Sequence, residues 1–125
     1  MTYTITQAAQ RCGLTAHTLR FYDKEGLLPY VDRTPRGIRS FKESDFEWLQ
    51  VINCLKDTGM PIKKIKEFID FCMQGDETLP QRLEIIRNHK KDVEVQMAQL
   101  KEHMETIDYK LRYYETAVAE VTEDM

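Results

Sequence analysis

Three arginines, Arg33, Arg36 and Arg39, crowd into seven residues of a stretch punctuated by Pro35 and Gly37. Like charges so close are unfavourable unless they are solvated or face an anion, and backbone phosphate is such an anion. The other reactive groups are sparse. Three cysteines, Cys12, Cys54 and Cys72, form an odd set with no C-x-x-C spacing, which argues against a disulfide scaffold or a zinc knuckle and for reduced thiols. Three histidines are scattered along the chain, and G-x-S-x-G, a phosphate-cradling glycine loop and H-E-x-x-H are all missing, so an enzyme is not expected. The carboxylates of the second half read as a solvated face.

The arginines need a scaffold, and the chain has room for one compact domain plus an extension in its 125 residues, 42% of them hydrophobic. No apolar run approaches the ~20 residues of a bilayer span, and the start lacks the basic and apolar regions of a secretory signal. A cytoplasmic protein that does not enter membranes is expected. The net charge of −3 is unevenly spread: residues 1–42 hold seven Lys/Arg against three Asp/Glu, net +4, and the remainder holds 11 against 18, net −7. A basic head on an acidic body suits a nucleic-acid partner, since only the field at the docking face has to attract phosphate.

Turn and cap residues divide the head. Thr6 is a possible N-cap for a short helix through Ala8 and Ala9 that stops at Gly13, and Thr15 caps a second helix, AHTLRFYDKEG, closing at Gly26. Two short helices across a glycine turn form a helix-turn-helix. Short extended pieces at Tyr30 to Val31 and Ile38 to Phe41, either side of Pro35-Arg36-Gly37, predict a hairpin or wing that carries the three arginines to DNA backbone. Ser44 with Glu47 fits a capping box for a third helix ending at Gly59, and Pro61 opens a fourth that Gly75 stops.

The last segment has the clearest periodicity. Steps of four and three from Leu79 give Leu83, Ile86, Lys90, Val93, Met97, Leu100, Met104, Ile107, Leu111, Tyr114, Val118 and Val121, broken only by Lys90. A sustained 3.5-residue repeat marks a coiled-coil seam that needs a partner helix. At ~1.5 Å per residue, a helix from Thr78 to Glu120 would extend ~65 Å, longer than a small head can cover, so a second subunit is the economical partner.

The order of elements and the segments LTAHTLRFYDKEGLL (14–28), RTPRGIRSF (33–41), LKDTGMPIKKI (55–65) and GDETLPQRLEIIRNHK together resemble the MerR family of bacterial regulators. The resemblance implies a mainly α fold: a winged helix-turn-helix head over residues 1–75, with four short helices and a two-stranded wing, then an antiparallel coiled-coil dimerisation helix and short tail over 76–125. It implies a homodimer on palindromic double-stranded promoter DNA, bending and untwisting the duplex so that RNA polymerase holoenzyme meets realigned elements. Carried onto this chain, the DNA-contacting positions are Thr15, Thr18, Arg20 and Tyr22, with His17 exposed between them, and Arg33, Arg36, Gly37, Arg39 and Phe41 on the wing. Arginine can pair with guanine, while hydroxyls more often clasp phosphate. At Phe41 the family usually has tyrosine, so one phosphate contact lacks its hydroxyl. Alternatively Tyr22 and Phe41 are core aromatics and Arg20 pairs with Asp23 or Glu25.

No cofactor is expected. Metal-sensing relatives keep cysteines at the end of the long helix, where this chain has none, and His89 and His103 are 14 residues apart, too far to chelate one ion within a helix. Drug-sensing relatives append a ligand domain that the residues after this helix cannot supply. Cys54 stands where the thiol-dependent branch responding to aldehydes and other electrophiles has its cysteine, with Lys56 the nearby cation. The competing account is a buried cysteine acting as a small hydrophobe, as assigned to Cys12 and Cys72. The rival functions are an effector-independent architectural DNA-binding protein and a coiled-coil protein-interaction module.

Overall fold

The structure, a computed structural model, describes residues 1–124. Helix α1 spans Ile5–Cys12, and its N-cap is Thr4 rather than Thr6. Thr4 Oγ1 accepts from Gln7 N at 3.2 Å and Gln7 Oε1 accepts from Thr4 N at 2.9 Å. This reciprocal box is available only from Thr4, because three residues beyond Thr6 stands Ala9, which has no acceptor. Gly13 ends the helix in the left-handed region at φ 69°, where a side chain would be strained. Helix α2, Ala16–Lys24, starts as expected on Thr15, whose Oγ1 accepts from Thr18 N at 3.1 Å.

The wing is one antiparallel pair, β1 (Asp32–Arg33) and β2 (Arg39–Ser40), with Asp32 opposite Ser40 and Arg33 opposite Arg39. Its strands are shorter than the predicted pieces. Tyr30 and Val31 lie before β1, with Val31 buried, and Phe41 instead bridges Tyr3, exchanging N–H···O bonds of 2.8 and 2.9 Å. The base of the wing is thereby stitched to the start of the chain.

Helix α3 spans Glu43–Asp57 and takes Lys42 as its N-cap, so Ser44 falls inside the first turn. The buried Asp45 carboxylate accepts from Lys42 N and Lys42 Nζ, each at 3.0 Å. A short buried carboxylate with two donors outcompetes the Ser44 and Glu47 arrangement, in which Glu47 stays in solvent. Helix α4, Ile62–Met73, follows Pro61 and ends before Gly75. A 3-10 turn, Asp76–Thr78, leads into helix α5, Leu79–Glu123. Pro80 sits in the first turn of α5, where no intrahelical N–H bond is lost.

Leu19, Tyr22, Leu27, Leu28, Phe41, Leu49, Ile52, Ile65 and Ile69 form the centre of one core. Chain contacts gather Met1–Ile86 into one compact unit, and the second begins at Arg87 within α5. On α5 the heptad positions from Leu79 to Val121 stay in solvent, between 40 and 67% exposed apart from the half-buried Val93 and the charged Lys90. No helix among the described residues is long and apolar enough to cross a membrane.

Candidate nucleic-acid interface

Helix α2 presents Thr15, His17 and Arg20 to solvent with Thr18 half-buried beside them. The hydroxyls of Thr15 and Thr18 lie 3.0 Å apart, so cap and neighbour form a small polar platform at the helix N-terminus. An anion is favoured at such an end by the backbone N–H groups and the helix dipole. Arg20 is exposed and, among the described residues, makes no ion pair; in particular it is bonded to neither Asp23 nor Glu25.

Asp23 is engaged by the wing instead. Arg39 donates to its Oδ1 through Nε at 2.9 Å and Nη2 at 2.6 Å, and Arg33 Nη2 stands 3.8 Å from Oδ2. Arg39 also donates through Nη1 to Val31 O at 2.6 Å and keeps only 16% of its side chain exposed. Of the three wing arginines, Arg39 is therefore a strut inside the head rather than a solvent-facing cation. Arg33 remains 52% exposed while donating to Gly37 O at 2.7 Å, and Arg36 is exposed at the tip. Gly37 has φ 81° and closes the turn by donating to Thr34 O at 2.8 Å, with nothing within 4 Å of where a Cβ would stand. The tip backbone is thus open to a close approach.

Tyr22 and Phe41, carried over as DNA contacts with core aromatics as the alternative, are core groups. Tyr22 is buried and donates its hydroxyl to Asn53 Oδ1 at 2.5 Å, with Lys56 Nζ 5.5 Å from its ring centroid. Burial, then the nearby Asp57 carboxylate, raise its pKa. The phenol is enclosed by the core, with its proton donated to Asn53. Phe41 is equally buried and contributes backbone pairing to Tyr3. Both follow from helix and hairpin faces turning inward to fill one small core, which local sequence does not specify.

The remaining cations sort by partner. Arg11 pairs with Glu43 through two contacts of 2.6 and 2.5 Å, while Tyr3 donates to the same carboxylate at 2.6 Å and the Phe46 ring lies 4.4 Å away. These bonds from Arg11, and then Tyr3, hold the Glu43 carboxyl below its ordinary pKa. Lys42 is held by Asp45 at 3.0 Å and Asp32 at 3.7 Å. Among the described residues, Arg20, Lys24 and Arg36 are the head cations of residues 1–42 with no ion pair. Sequence reasoning passed over Lys24, on the last turn of α2, and weighed Asp23 only as a partner for Arg20. Nothing local points Asp23 to Arg39, which is 16 residues away.

The thiols differ by setting. Cys54 is exposed on α3, and its carbonyl accepts from Thr58 Oγ1 at 2.7 Å. Cys12 and Cys72 are half-buried, and burial pushes both thiols up, opposed by nearby Arg11 for Cys12 and Arg82 for Cys72. Cys12 lines a cavity of about 310 Å³ with Arg11, Phe46, Gln50 and Asn53.

Residues 3–72 match the profile of the MerR HTH family regulatory proteins, and residues 46–109 match a second, described as MerR, DNA binding. The chain belongs to the MerR family. It is a regulator and not an enzyme, as are its relatives. An uncharacterized HTH-type transcriptional regulator of Haemophilus influenzae is 47% identical over 95% of this chain and 88% of its own length. The HTH-type transcriptional regulator AdhR of Bacillus subtilis is 37% identical over 70% of this chain and 62% of its own. Among solved structures, HiNmlR, a MerR family regulator lacking the sensor domain, bound to promoter DNA, is similar with a TM-score of 0.88 at 47% identity, over 95% of this chain and 94% of that one. A MerR family transcriptional regulator from Bacillus thuringiensis gives 0.81 at 40% identity over 89% and 97%.

Proposed function

We propose that this MerR-family regulator binds palindromic promoter DNA as a homodimer and switches transcription by bending and untwisting the duplex for RNA polymerase holoenzyme. The DNA contact rests on one observation: among the described residues, Arg20, Lys24 and Arg36 stand without ion-pair partners on α2 and the wing, the two elements that Asp23 ties together. Cations held out of internal pairs are the ones able to neutralise phosphate. The 47% identity to HiNmlR, which was crystallised on promoter DNA, supports the same use here. Thr15, His17, Thr18, Arg33 and Gly37 complete the proposed surface.

The exposed heptad stripe of α5 is the support for dimerisation. Charge favours antiparallel pairing. Residues 82–91 hold four Lys/Arg and one Glu, net +3, whereas 92–124 hold three Lys/Arg and nine Asp/Glu, net −6. Antiparallel helices set the basic segment of each against the acidic remainder of the other, while parallel ones would stack like on like. Electrophiles such as aldehydes are the proposed signal, reacting at Cys54, which unlike Cys12 and Cys72 is open to solvent.

The test is binding of the purified protein to a fragment of its own upstream DNA across a salt series, with Arg20→Ala beside it. Tight, steeply salt-dependent binding that collapses in Arg20→Ala supports the proposal. Indifference to DNA at low salt refutes it and favours a protein-interaction module. A DNA-distortion response to aldehyde that vanishes in Cys54→Ser supports the sensor, and survival of that response in the variant refutes it.

A further inference from the structure

We infer that Asp23 is a positioning residue for DNA binding: it locks the wing onto helix α2 and thereby sets where Arg33 and Arg36 meet the duplex. The inference rests on the DNA-binding proposal above and goes beyond it, because an acidic side chain in a DNA-facing head would ordinarily be taken to weaken binding.

The hairpin poses a problem that Asp23 solves. Arg33 and Arg39 face each other across the two strands, and like charges directly opposite one another destabilise a strand pair. A hairpin with strands of two residues has little stability of its own. Asp23 supplies the missing counter-charge from outside the hairpin. One oxygen accepts both Nε and Nη2 of Arg39, at 2.9 and 2.6 Å, and the other lies 3.8 Å from Arg33 Nη2. Arg39 passes the tether onward, donating to Val31 O at 2.6 Å on the chain entering β1. Arg33 carries it to the tip through Gly37 O at 2.7 Å, next to Arg36. A single carboxylate on α2 is thus linked, by hydrogen bonds to Arg39 and a looser ion pair to Arg33, to the entry, both strands and the tip of the wing. The Arg39–Asp23 pair is partly shielded from water, with Arg39 16% and Asp23 26% exposed, so it is screened less than a surface ion pair.

Two opposite expectations follow for Asp23→Asn. Counting charge alone, the head gains about one unit of positive charge and frees Arg39, so DNA binding tightens and its salt dependence steepens. If Asp23 positions the wing, the wing must be ordered anew on each binding event, and affinity falls by about tenfold, as expected for losing charge-assisted bonds that pre-organise a surface. The salt slope flattens by about one to two as wing phosphate contacts are lost. Asp23→Glu, which keeps the charge on a longer stem, should restore part of the affinity. Arg39→Lys keeps the head's charge but cannot make the two-nitrogen contact, and should weaken binding in the same direction.

The experiment is fluorescence anisotropy of a labelled promoter fragment with full-length wild type, Asp23→Asn, Asp23→Glu and Arg39→Lys over a salt series, with a thermal melt of each. Weaker binding with a flatter slope in folded Asp23→Asn supports the inference. Unchanged or tighter binding overturns it, as does weakening with the slope intact, which would report only a smaller folded fraction. Should Asp23→Asn melt below the assay temperature, Arg39→Lys decides by the same readings. Wild-type protein that fails to bind at low salt would refute the DNA proposal itself, whereas wild-type binding with an indifferent Asp23 refutes this inference alone.

Discussion

Replacing Arg36 with alanine should flatten the salt dependence of DNA binding, and replacing Arg11 should not. Both are exposed arginines of the basic head, so composition treats them alike. The structure separates them: Arg11 is clasped by Glu43 at 2.5 and 2.6 Å beneath the Tyr3 and Phe46 rings, whereas Arg36 has no ion pair among the described residues. Arg20, Lys24, Arg36 and the half-exposed Arg33 make four available cations per subunit. A dimer therefore brings about eight to phosphate, for a slope of log affinity against log salt near −7 and a loss of about 10⁴-fold from ~50 to ~200 mM salt. Arg36→Ala removes two of the eight, one per subunit, and the slope should relax to about −5. Arg11→Ala should leave it near the wild-type value. Anisotropy titrations at five or more salt concentrations, each from ~50 to ~250 mM, resolve that difference. An unchanged slope in Arg36→Ala, or equal flattening in Arg11→Ala, would show that internal pairing does not decide which cations meet DNA.

Ile107→Asp, at a 59% exposed seam position, should split the proposed dimer: two side chains at ~2 kcal/mol each amount to about a thousandfold in association, read by sedimentation velocity. A variant that stays dimeric would place the interface elsewhere. Tyr22→Phe should lower stability by about 1 kcal/mol in urea titrations through loss of the Asn53 bond, with the DNA salt slope untouched. A flatter slope there would instead make Tyr22 a phosphate contact. Mass-spectrometric labelling should modify Cys54 before Cys12 and Cys72, whose burial raises their pKa and so thins their thiolate at neutral pH; either of those reacting first would contradict the assignment. Glu43, held below its ordinary pKa by Arg11 and Tyr3, contributes stability present above the unfolded carboxylate's pKa and lost as pH falls through the folded one. Acid titration of Glu43→Gln should therefore show a shallower acid limb than wild type, and an identical limb would deny the pair that role.

The elements were legible from sequence because their signals are local. Gly13, Gly26 and Gly75 end segments by permitting positive φ, and Thr15 caps α2 from its own position. The heptad stripe of α5 was equally plain, since a 3.5-residue repeat needs no tertiary information. The misplaced caps show the limit. Thr6 and Ser44 were reasonable cap types, but Gln7 and Asp45 reach back to Thr4 and Lys42, one fixed by a glutamine three residues on and the other by burial of a carboxylate. The resemblance turns Tyr22 and Phe41 toward DNA, the alternative makes both core aromatics, and in the fold both point inward. Side-chain direction on a short helix or strand depends on what packs behind it, here Asn53 on α3 and Tyr3 before α1.

Arginine number and arginine function part company in this head for a reason that reaches beyond single residues. Three guanidiniums within seven residues look like three phosphate contacts, yet a tip that flexes would hold none of them in register with the DNA. Converting one of the three, Arg39, into a strut on Asp23 costs one DNA cation and gives Arg33 and Arg36 a defined place on the wing. The same division recurs elsewhere in the head, where Arg11 secures α1 to α3 through Glu43. Acidic residues at Asp23 and Glu43 are thus compatible with binding a polyanion. Each is neutralised by a neighbouring arginine, and among the described residues the cations of residues 1–42 that have no ion pair stand on α2 and the wing tip, the elements proposed to meet DNA.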